Sequence, residues 1–266
     1  MTDDSLFLKT DIVHVDAAVI GISKARWETI QESAAEEHYA ADKMKAERFD
    51  VLPIVASDSS VREYFATEVW NDYSSVVRRT LTHRDVIPLQ THIRDVVKGF
   101  TENNRLFYFL TQESRVVGLI SVANLNSREV KVYLFALLSE LEVRLGIFLS
   151  DHLPEERLFE LTLQESRKDK HKELRERYLS DKANGVDVSV VQYLYLPDLA
   201  DAVVAAGLHT VLGYASKSKF EKSFGSFTDL RNQVAHPNHS IIKSKSSLSR
   251  LWERIDRIEE ALFQLR

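Results

Sequence analysis

The chain contains no cysteine among its 266 residues, which excludes disulfide bonds, thiolate metal ligands and a cysteine nucleophile. It also lacks a glycine-rich phosphate loop and the glycine-flanked serine of a nucleophile elbow. No apolar run reaches the roughly 18 residues that a membrane-spanning helix needs. The first residues, which include Asp3 and Asp4, are acidic and therefore unlike a secretory signal. We expect a cytoplasmic protein with no membrane partner.

The composition is that of a globular protein with unevenly distributed charge. Hydrophobic residues make up 44% of the chain and charged residues 28%, which is enough to bury a core. The length suggests one large or two ordinary domains. Residues 1–75 hold 15 acidic and 7 basic side chains, whereas residues 215–250 hold 7 basic and 2 acidic ones. The second of these segments is where a polyanion would be expected to bind.

This basic segment contains an arginine and a histidine five positions apart. Residues 230–237 read Leu-Arg-Asn-Gln-Val-Ala-His-Pro. Pro237 favours a helix end just before it, because the residue that precedes a proline is disfavoured in the helical conformation. Five helical positions would point two side chains about 140° apart, but the bend at Pro237 can bring Arg231 and His236 to one pocket. A permanent cation beside a group that titrates near neutrality suits phosphodiester cleavage. Asn232 adds a neutral hydrogen-bonding group.

These residues resemble the signature of HEPN domains, which is an arginine, a polar residue, three further residues and a histidine. Many HEPN proteins are metal-independent ribonucleases that act as toxins or in phage defence, and they generally pair two motifs across a dimer. The resemblance implies an all-α helical bundle over residues 129–266, a homodimer and an RNA substrate. It also implies a catalytic set of Arg231, Asn232 and His236 that needs no metal ion.

The same residues permit interpretations without catalysis. In one, Arg231 pairs with a carboxylate and His236 only caps the end of a helix. In another, His236 and His239 bind a metal ion, although no cysteine or nearby carboxylate completes the ligand set. In a third, the protein binds RNA without cutting it, as an antitoxin-like component would.

The first half contains an internal repeat at an offset of 55 residues. Residues 50–65 align without gaps on residues 105–120, and both copies read as an apolar strand, a short polar turn and a second apolar strand. A helical segment precedes each copy, over about residues 27–47 and 93–102. The repeated helix-strand-strand unit predicts two pseudo-symmetric halves that bury their sheets together.

The repeat resembles a pair of CBS domains over roughly residues 8–130, most clearly in the second copy. Residues 118–124 read Gly-Leu-Ile-Ser-Val-Ala-Asn, which matches the family's pattern except that Asn124 replaces an aspartate. In the family, the hydroxyl contacts a nucleotide phosphate and the aspartate holds the ribose. The resemblance implies an α+β regulatory domain over residues 1–128 that binds an adenine nucleotide through Ser121 and Asn124. The alternative is a CBS pair that serves only as a dimerisation or spacer module.

The second half predicts a series of helices. Apolar residues at steps of three and four predict a helix over residues 127–153, and Glu140 and Glu142 fall inside it. Residues 164–182 carry seven basic and five acidic side chains, which is typical of a solvated helix. We therefore expect His171 to face solvent.

Further along the chain, residues 186–196 are rich in β-branched and aromatic side chains and are consistent with either a strand or a buried helix. Helices are predicted over residues 197–206 and 247–266. Ser226 or Thr228 is expected to cap the helix that carries Arg231.

The fold class expected is an α+β CBS pair of βαββ-type repeats followed by an all-α HEPN-like bundle. The leading functional hypothesis is a nucleotide-regulated, metal-independent endoribonuclease with a role as a toxin or phage-defence effector. His236 would transfer protons, Arg231 would stabilise charge on the reacting phosphorus, and Asn232 would orient the phosphate or the histidine. The alternative is a non-catalytic adenine-nucleotide sensor or a dimerising interaction protein.

Overall fold

The computed structural model describes residues 14–70, 72–164, 169–236 and 238–265. The chain divides into two compact units. The sheet unit comprises residues 14–133 and 240–252, and the helical unit comprises residues 134–239 and 253–265. The sequence predicted a single boundary between residues 128 and 129. In the structure the first division falls between residues 133 and 134, and residues 240–252 also belong to the sheet unit. Pro237 and residues 8–13 of the predicted CBS pair lie outside the described residues.

The sheet unit is mixed α/β. Its three helices are α1 (Ala17–Ile20), α2 (Glu37–Glu47) and α3 (Ile93–Glu102), and it contributes the first turns of the long helices α4 and α9 that are bounded below. Its eight strands are β1 (Ile22–Ser23), β2 (Ile30–Gln31), β3 (Val51–Val55), β4 (Val61–Val69), β5 (Asp72–Thr80), β6 (Val86–Pro88), β7 (Phe107–Gln112) and β8 (Arg115–Ser121).

The strands form two four-stranded sheets that share the topology of their first three strands. One sheet has the order β2-β3-β4-β5 and the other the order β6-β7-β8-β1. In each sheet the first two strands are parallel and joined through a helix, α2 or α3, and the second and third strands form an antiparallel hairpin. The fourth strand is antiparallel in both sheets, but β5 follows β4 in the chain whereas β1 precedes the whole unit. The internal repeat predicted from the sequence therefore corresponds to a repeated strand-helix-strand-strand unit.

The strand pairing refines the alignment of the two copies. Ile54 pairs with Glu63, and Leu110 pairs with Gly118, and in both hairpins the register shifts at this point. The two hairpins therefore match at an offset of 56 residues on the first strand and 55 on the second. The ungapped alignment was one residue off on the first strand, because the two hairpin turns differ in length.

Packing explains the residues that mark the repeat. The ring of Tyr64 on β4 lies 5.3 Å from both Phe107 and Phe109 on β7, so aromatic contacts join the two sheets. A Cβ atom on Gly118 would lie 2.6 Å from the carbonyl oxygen of Ile22, because β1 runs directly beside it. The glycine of the 118–124 motif is therefore required by the close approach of a neighbouring strand.

One helix of the sheet unit differs from its prediction. Residues 27–47 were expected to be helical throughout, but α2 begins only at Glu37. Ile30 and Gln31 instead form a strand that pairs in parallel with Ile54 and Val55. The pairing partner lies far along the chain, so local periodicity could not reveal it. By contrast, α3 covers residues 93–102 as predicted.

The remaining residues are mainly helical. The elements are α4 (Arg128–His152), α5 (Glu155–Phe159), a π-helical turn (Glu160–Gln164), α6 (Asp169–Ala183), a 3-10 turn (Val190–Tyr193), α7 (Leu196–Ala205), α8 (Lys217–Ala235) and α9 (Lys245–Gln264). The mixed α/β first part and the helical second part confirm the coarse fold prediction. No helix in the described part of the chain is both long and apolar enough to cross a membrane.

Most predicted helix ends in this half are confirmed within one or two residues. The exception is the start of α8, where Ser216 rather than Ser226 or Thr228 occupies the N-cap and accepts a hydrogen bond from the Lys219 amide at 3.3 Å. The helix begins earlier than predicted because Phe220, Phe224 and Phe227 bury their rings on one face of it. The rings of Phe220 and Phe224 stack with their centroids 4.2 Å apart. Residues 186–195 are neither strand nor helix apart from the 3-10 turn at Val190–Tyr193, and Leu196 begins α7.

Candidate functional site

Arg231 lies in the C-terminal part of α8 and is half-buried. Its guanidinium carbon lies over the ring of Tyr195, 5.7 Å from the ring centroid, at the start of α7. Among the residues that the structure describes, Arg231 forms no ion pair with a carboxylate. The interpretation in which Arg231 serves a structural salt bridge therefore has no partner within the described residues.

Several polar contacts fix the segment that carries Tyr195. The Leu196 amide donates to Oε2 of Glu142 on α4 at 2.9 Å, and the Tyr195 amide donates to Oδ2 of Asp198 at 3.3 Å. Both carboxylates thus accept from backbone groups at the N-terminus of α7, where negative charge is favoured. The backbone of Tyr195 is held on two sides.

A buried histidine-aspartate pair supports the same turn. Nε2 of His171 on α6 lies 2.9 Å from Oδ1 of Asp198, and the two side chains are only 5% and 1% exposed. The expectation that His171 faces solvent is wrong, because the charged run in which it lies has one buried face. Asp198 connects the buried pair to the backbone of Tyr195.

His236 takes the C-cap position of α8 and has an extended backbone conformation. Its side chain is exposed, and its ring centroid lies 5.0 Å from that of His239. Asn232 is exposed as well. His236 thus lies at the helix end, as expected from the sequence, and Pro237 itself lies outside the described residues.

The basic residues of segment 215–250 are spread over separate parts of the fold. Lys217, Lys219 and Lys222 lie in the first two turns of α8, and Lys217 is 3.7 Å from Glu221. Arg231 lies nine positions beyond Lys222, which corresponds to about 14 Å along a helix axis. The basic residues after position 240 belong to the sheet unit. Within α8, the three lysines are thus distant from Arg231.

The two glutamates noted on α4 have different contacts. Glu142 receives the Leu196 amide, as described above, whereas Oε1 of Glu140 lies 2.7 Å from Nε of Arg144 one turn further on. Glu142 is therefore the one that helps to position the Tyr195 segment.

Ser121 and Asn124 bond to each other at the start of the 3-10 turn Val122–Asn126, which leads into α4. Oδ1 of Asn124 accepts hydrogen bonds from the Ser121 amide at 2.8 Å and from the Ser121 hydroxyl at 3.0 Å. Both side chains are half-buried. This cap gives the pair a structural role, and it leaves the amide nitrogen of Asn124 and the lone pairs of the Ser121 hydroxyl for an outside group.

The sheet unit also contains a buried carboxylate whose two oxygens both accept hydrogen bonds. Asp85 is 3% exposed; its Oδ1 lies 2.7 Å from Nη1 of Arg105, and its Oδ2 accepts from the amide and hydroxyl of Thr82 at 2.8 and 2.6 Å. Burial would raise the pKa of Asp85, but the hydrogen bonds from Thr82 and the charge of Arg105 outweigh it and hold that pKa below its usual range. Burial and the neighbouring Asp85 carboxylate raise the pKa of Tyr64 to about 12.

Arg105 also lines a pocket of about 520 Å³ between α3 and the strands β6 and β7. Other residues of this pocket are His83, Arg84, Asp95 and Tyr108. Ser121 and Asn124 are not among its lining residues, so the predicted nucleotide-binding pair lies elsewhere in the sheet unit.

Comparisons with known proteins give little guidance. No protein-family model matches the chain, and no curated protein matches it. Among solved structures, the crystal structure of protein MJ1004 from Methanocaldococcus jannaschii is similar, with a TM-score of 0.34 and 17% sequence identity over 67% of this chain and 82% of that one. A similarity this weak supports no functional argument. Among the described residues no group of three or more acidic or histidine side chains is placed to hold a metal ion.

The sequence did not identify Tyr195 or the His171–Asp198 pair. A signal for the first was present, because Tyr195-Leu196-Pro197-Asp198 places a proline and an acidic residue in the first turn of a helix. The pairing of His171 with Asp198 spans 27 residues and has no local signature.

Proposed function

We propose that this protein is a metal-independent endoribonuclease of the HEPN type, active as a homodimer. The observation that carries the proposal is the placement of Arg231, which contacts an aromatic ring instead of a described carboxylate and lies on the helix that ends at His236. A guanidinium in that position keeps its planar donor fork available for a phosphate. The proposal places the protein in the cytoplasm, with a toxin or phage-defence role.

The reaction uses a nucleophile that the RNA itself supplies. The 2′-hydroxyl oxygen attacks the adjacent phosphorus, and the bond from phosphorus to the 5′-oxygen breaks. His236 accepts the proton of the 2′-hydroxyl or donates a proton to the leaving 5′-oxygen, and a dimer supplies two copies of His236 for the two transfers. Arg231 stabilises the negative charge that develops on the phosphorane oxygens, and Asn232 orients the phosphate. The products are a 2′,3′-cyclic phosphate and a 5′-hydroxyl.

The test is cleavage of labelled RNA by the purified protein in excess EDTA, with the new ends identified by mass. Arg231→Ala should lower the rate on the order of 10²–10³-fold, which is the cost of a lost transition-state donor. Arg231→Lys should recover little of this, because a point charge cannot make the two-pronged contact. Lys222→Ala on the same helix is the matched control and should cut normally. A purified dimer that cuts no RNA would contradict the proposal.

The sheet unit is proposed to regulate this activity by binding an adenine nucleotide, as the CBS resemblance implies. Ser121 and Asn124 support this, since their mutual cap holds both side chains in a fixed geometry at a strand end. Calorimetry with AMP, ADP and ATP is the direct measurement. Absence of heat with all three at millimolar concentration would leave the sheet unit as a structural module.

A specific observation favours the alternative of a non-catalytic dimerising protein. Phe135, Val143 and Ile147 on α4 are 48%, 57% and 51% exposed, and their spacing places them along one side of the helix. Exposed apolar residues in a row are characteristic of a protein interface. Under this alternative, Val143→Ser should dissociate the dimer. The wild type and Arg231→Ala should both leave RNA uncut.

A further inference from the structure

Tyr195 is an exposed aromatic ring beside the arginine to which we assign phosphate binding. Its side chain is 49% exposed, whereas the next residue, Leu196, is fully buried. The guanidinium of Arg231 lies over the ring at 5.7 Å from its centroid. The contact with Arg231 therefore leaves about half of the side chain's surface accessible to an outside group.

The backbone beneath the ring is unusually well fixed for a loop position. Glu142 receives the Leu196 amide, Asp198 receives the Tyr195 amide, and the buried His171 holds Asp198. Buried polar groups of this kind cost stability unless every partner is in place. Three polar side chains thus fix the backbone that carries this exposed ring.

We infer that Tyr195 is a base-stacking platform: it binds the face of a nucleobase that neighbours the phosphate held by Arg231. This inference rests on the proposed function. An aromatic ring next to a cation is the combination by which proteins bind unpaired strands, because every base has a π-face and every link has a phosphate. In a duplex the base faces are stacked on one another, so the RNA must be unpaired at this position. Asn232, exposed at the neighbouring position, is available to a base edge or a ribose hydroxyl.

The test compares the binding of RNA with and without bases to protein with and without the Tyr195 ring. His236→Ala protein prevents cleavage during the measurement, and fluorescence anisotropy gives the Kd for two labelled probes. One probe is a mixed-sequence ten-nucleotide RNA, and the other is a ribose-phosphate strand of the same length without bases. The ratio of the two Kd values reports how much the bases contribute.

In protein with Tyr195 intact, the strand without bases should bind more weakly than RNA. Tyr195→Leu should reduce that ratio about 5- to 150-fold, the range of base–aromatic stacking measured by truncation. Tyr195→Phe should preserve it, because stacking needs the ring and not the hydroxyl. Tyr39→Leu is the matched control, since Tyr39 is 54% exposed on α2, and it should also leave the ratio unchanged.

The outcomes separate this inference from the proposed function. If the ratio is the same with Tyr195 intact and in Tyr195→Leu, both in His236→Ala protein, the role of Tyr195 is overturned and RNA binding remains intact. A loss of affinity for both probes alike in Tyr195→Leu would assign the ring to positioning Arg231 only. Failure of both probes to bind any variant would remove the RNA-binding proposal and this inference with it.

Discussion

Arg105 of the sheet unit and Arg231 of the helical unit carry the same charge in opposite surroundings. Arg105 donates to Asp85, a carboxylate that is 3% exposed and receives further hydrogen bonds from Thr82. Arg231 contacts the face of Tyr195, an interaction worth about 0.5–1 kcal/mol at an exposed site. The fold neutralises the first charge internally, whereas the second has only a weak internal partner among the described residues.

The difference shows how a charge that serves the fold can be told apart from one that serves a ligand. Removing Arg105 would leave a buried carboxylate without its cation. Removing Arg231 would leave an exposed ring. We therefore expect substitution of Arg105 to act on stability and substitution of Arg231 to act on binding and catalysis.

The largest expected effect is on catalysis. His236→Ala removes the proton-transfer group and should lower the rate of RNA cleavage about 10²–10⁴-fold, measured as initial rates on labelled RNA. His239→Ala is the matched control, because its ring lies 5.0 Å from that of His236. Equal losses in the two variants would show that cleavage does not depend on His236 specifically.

The second effect compares the two arginines directly in urea-induced unfolding. Arg105→Ala should lower the free energy of unfolding by about 3–5 kcal/mol, because it leaves the Asp85 charge buried without its partner. Arg231→Ala should lower it by no more than about 1 kcal/mol. Adding Asp85→Asn to Arg105→Ala should restore part of the loss. Similar destabilisation by Arg105→Ala and Arg231→Ala would contradict the assignment of Arg105 to the fold and of Arg231 to a ligand.

The third effect is a pH dependence that belongs to the sheet unit. The pKa of Tyr64 is raised from 10.0 to about 12 in the folded protein. Below pH 10 the phenol is neutral in both states, and its contribution is fully present. As the pH rises from about 10 to 12, the unfolded chain loses this proton first, so stability falls, by about 2–3 kcal/mol in total.

Tyr64→Phe removes this titration. The difference in unfolding free energy between the wild type and Tyr64→Phe should therefore shrink between about pH 10 and 12, measured by urea unfolding. A difference that stays constant over this range would mean that burial and the Asp85 carboxylate do not raise the pKa of the Tyr64 hydroxyl.

The smallest effect concerns the nucleotide. Asn124→Asp keeps an oxygen that accepts from the Ser121 amide and hydroxyl, so the cap should survive. A carboxylate bonds a ribose hydroxyl more strongly than an amide does, and AMP should bind about tenfold more tightly. Asn104→Asp places the same charge at an exposed position of the sheet unit and should not change the affinity. Equal affinity in wild type and Asn124→Asp would argue against a ribose at this position.

Local sequence patterns predicted the elements whose boundaries depend on nearby residues. Apolar steps of three and four set α3 and α4 to within one residue, because each helix buries one face. The repeat predicted the shared topology of the two sheets, because alternating apolar runs and polar turns are local signals. The same signals failed for Ile30 and Gln31, which pair in parallel with Ile54 and Val55 from beyond an intervening helix.

The sequence alone determined that Arg231 and His236 share one helix and that His236 lies at its end. Only the tertiary structure decided what surrounds Arg231. Tyr195, at the N-cap of α7, contacts its guanidinium, and Glu142 on α4 and His171 on α6 hold the turn that carries Tyr195, through the Leu196 amide and Asp198. These contacts follow from where separate helices meet, and such meetings depend on the complementarity of whole buried faces rather than on the spacing of residues within any one segment.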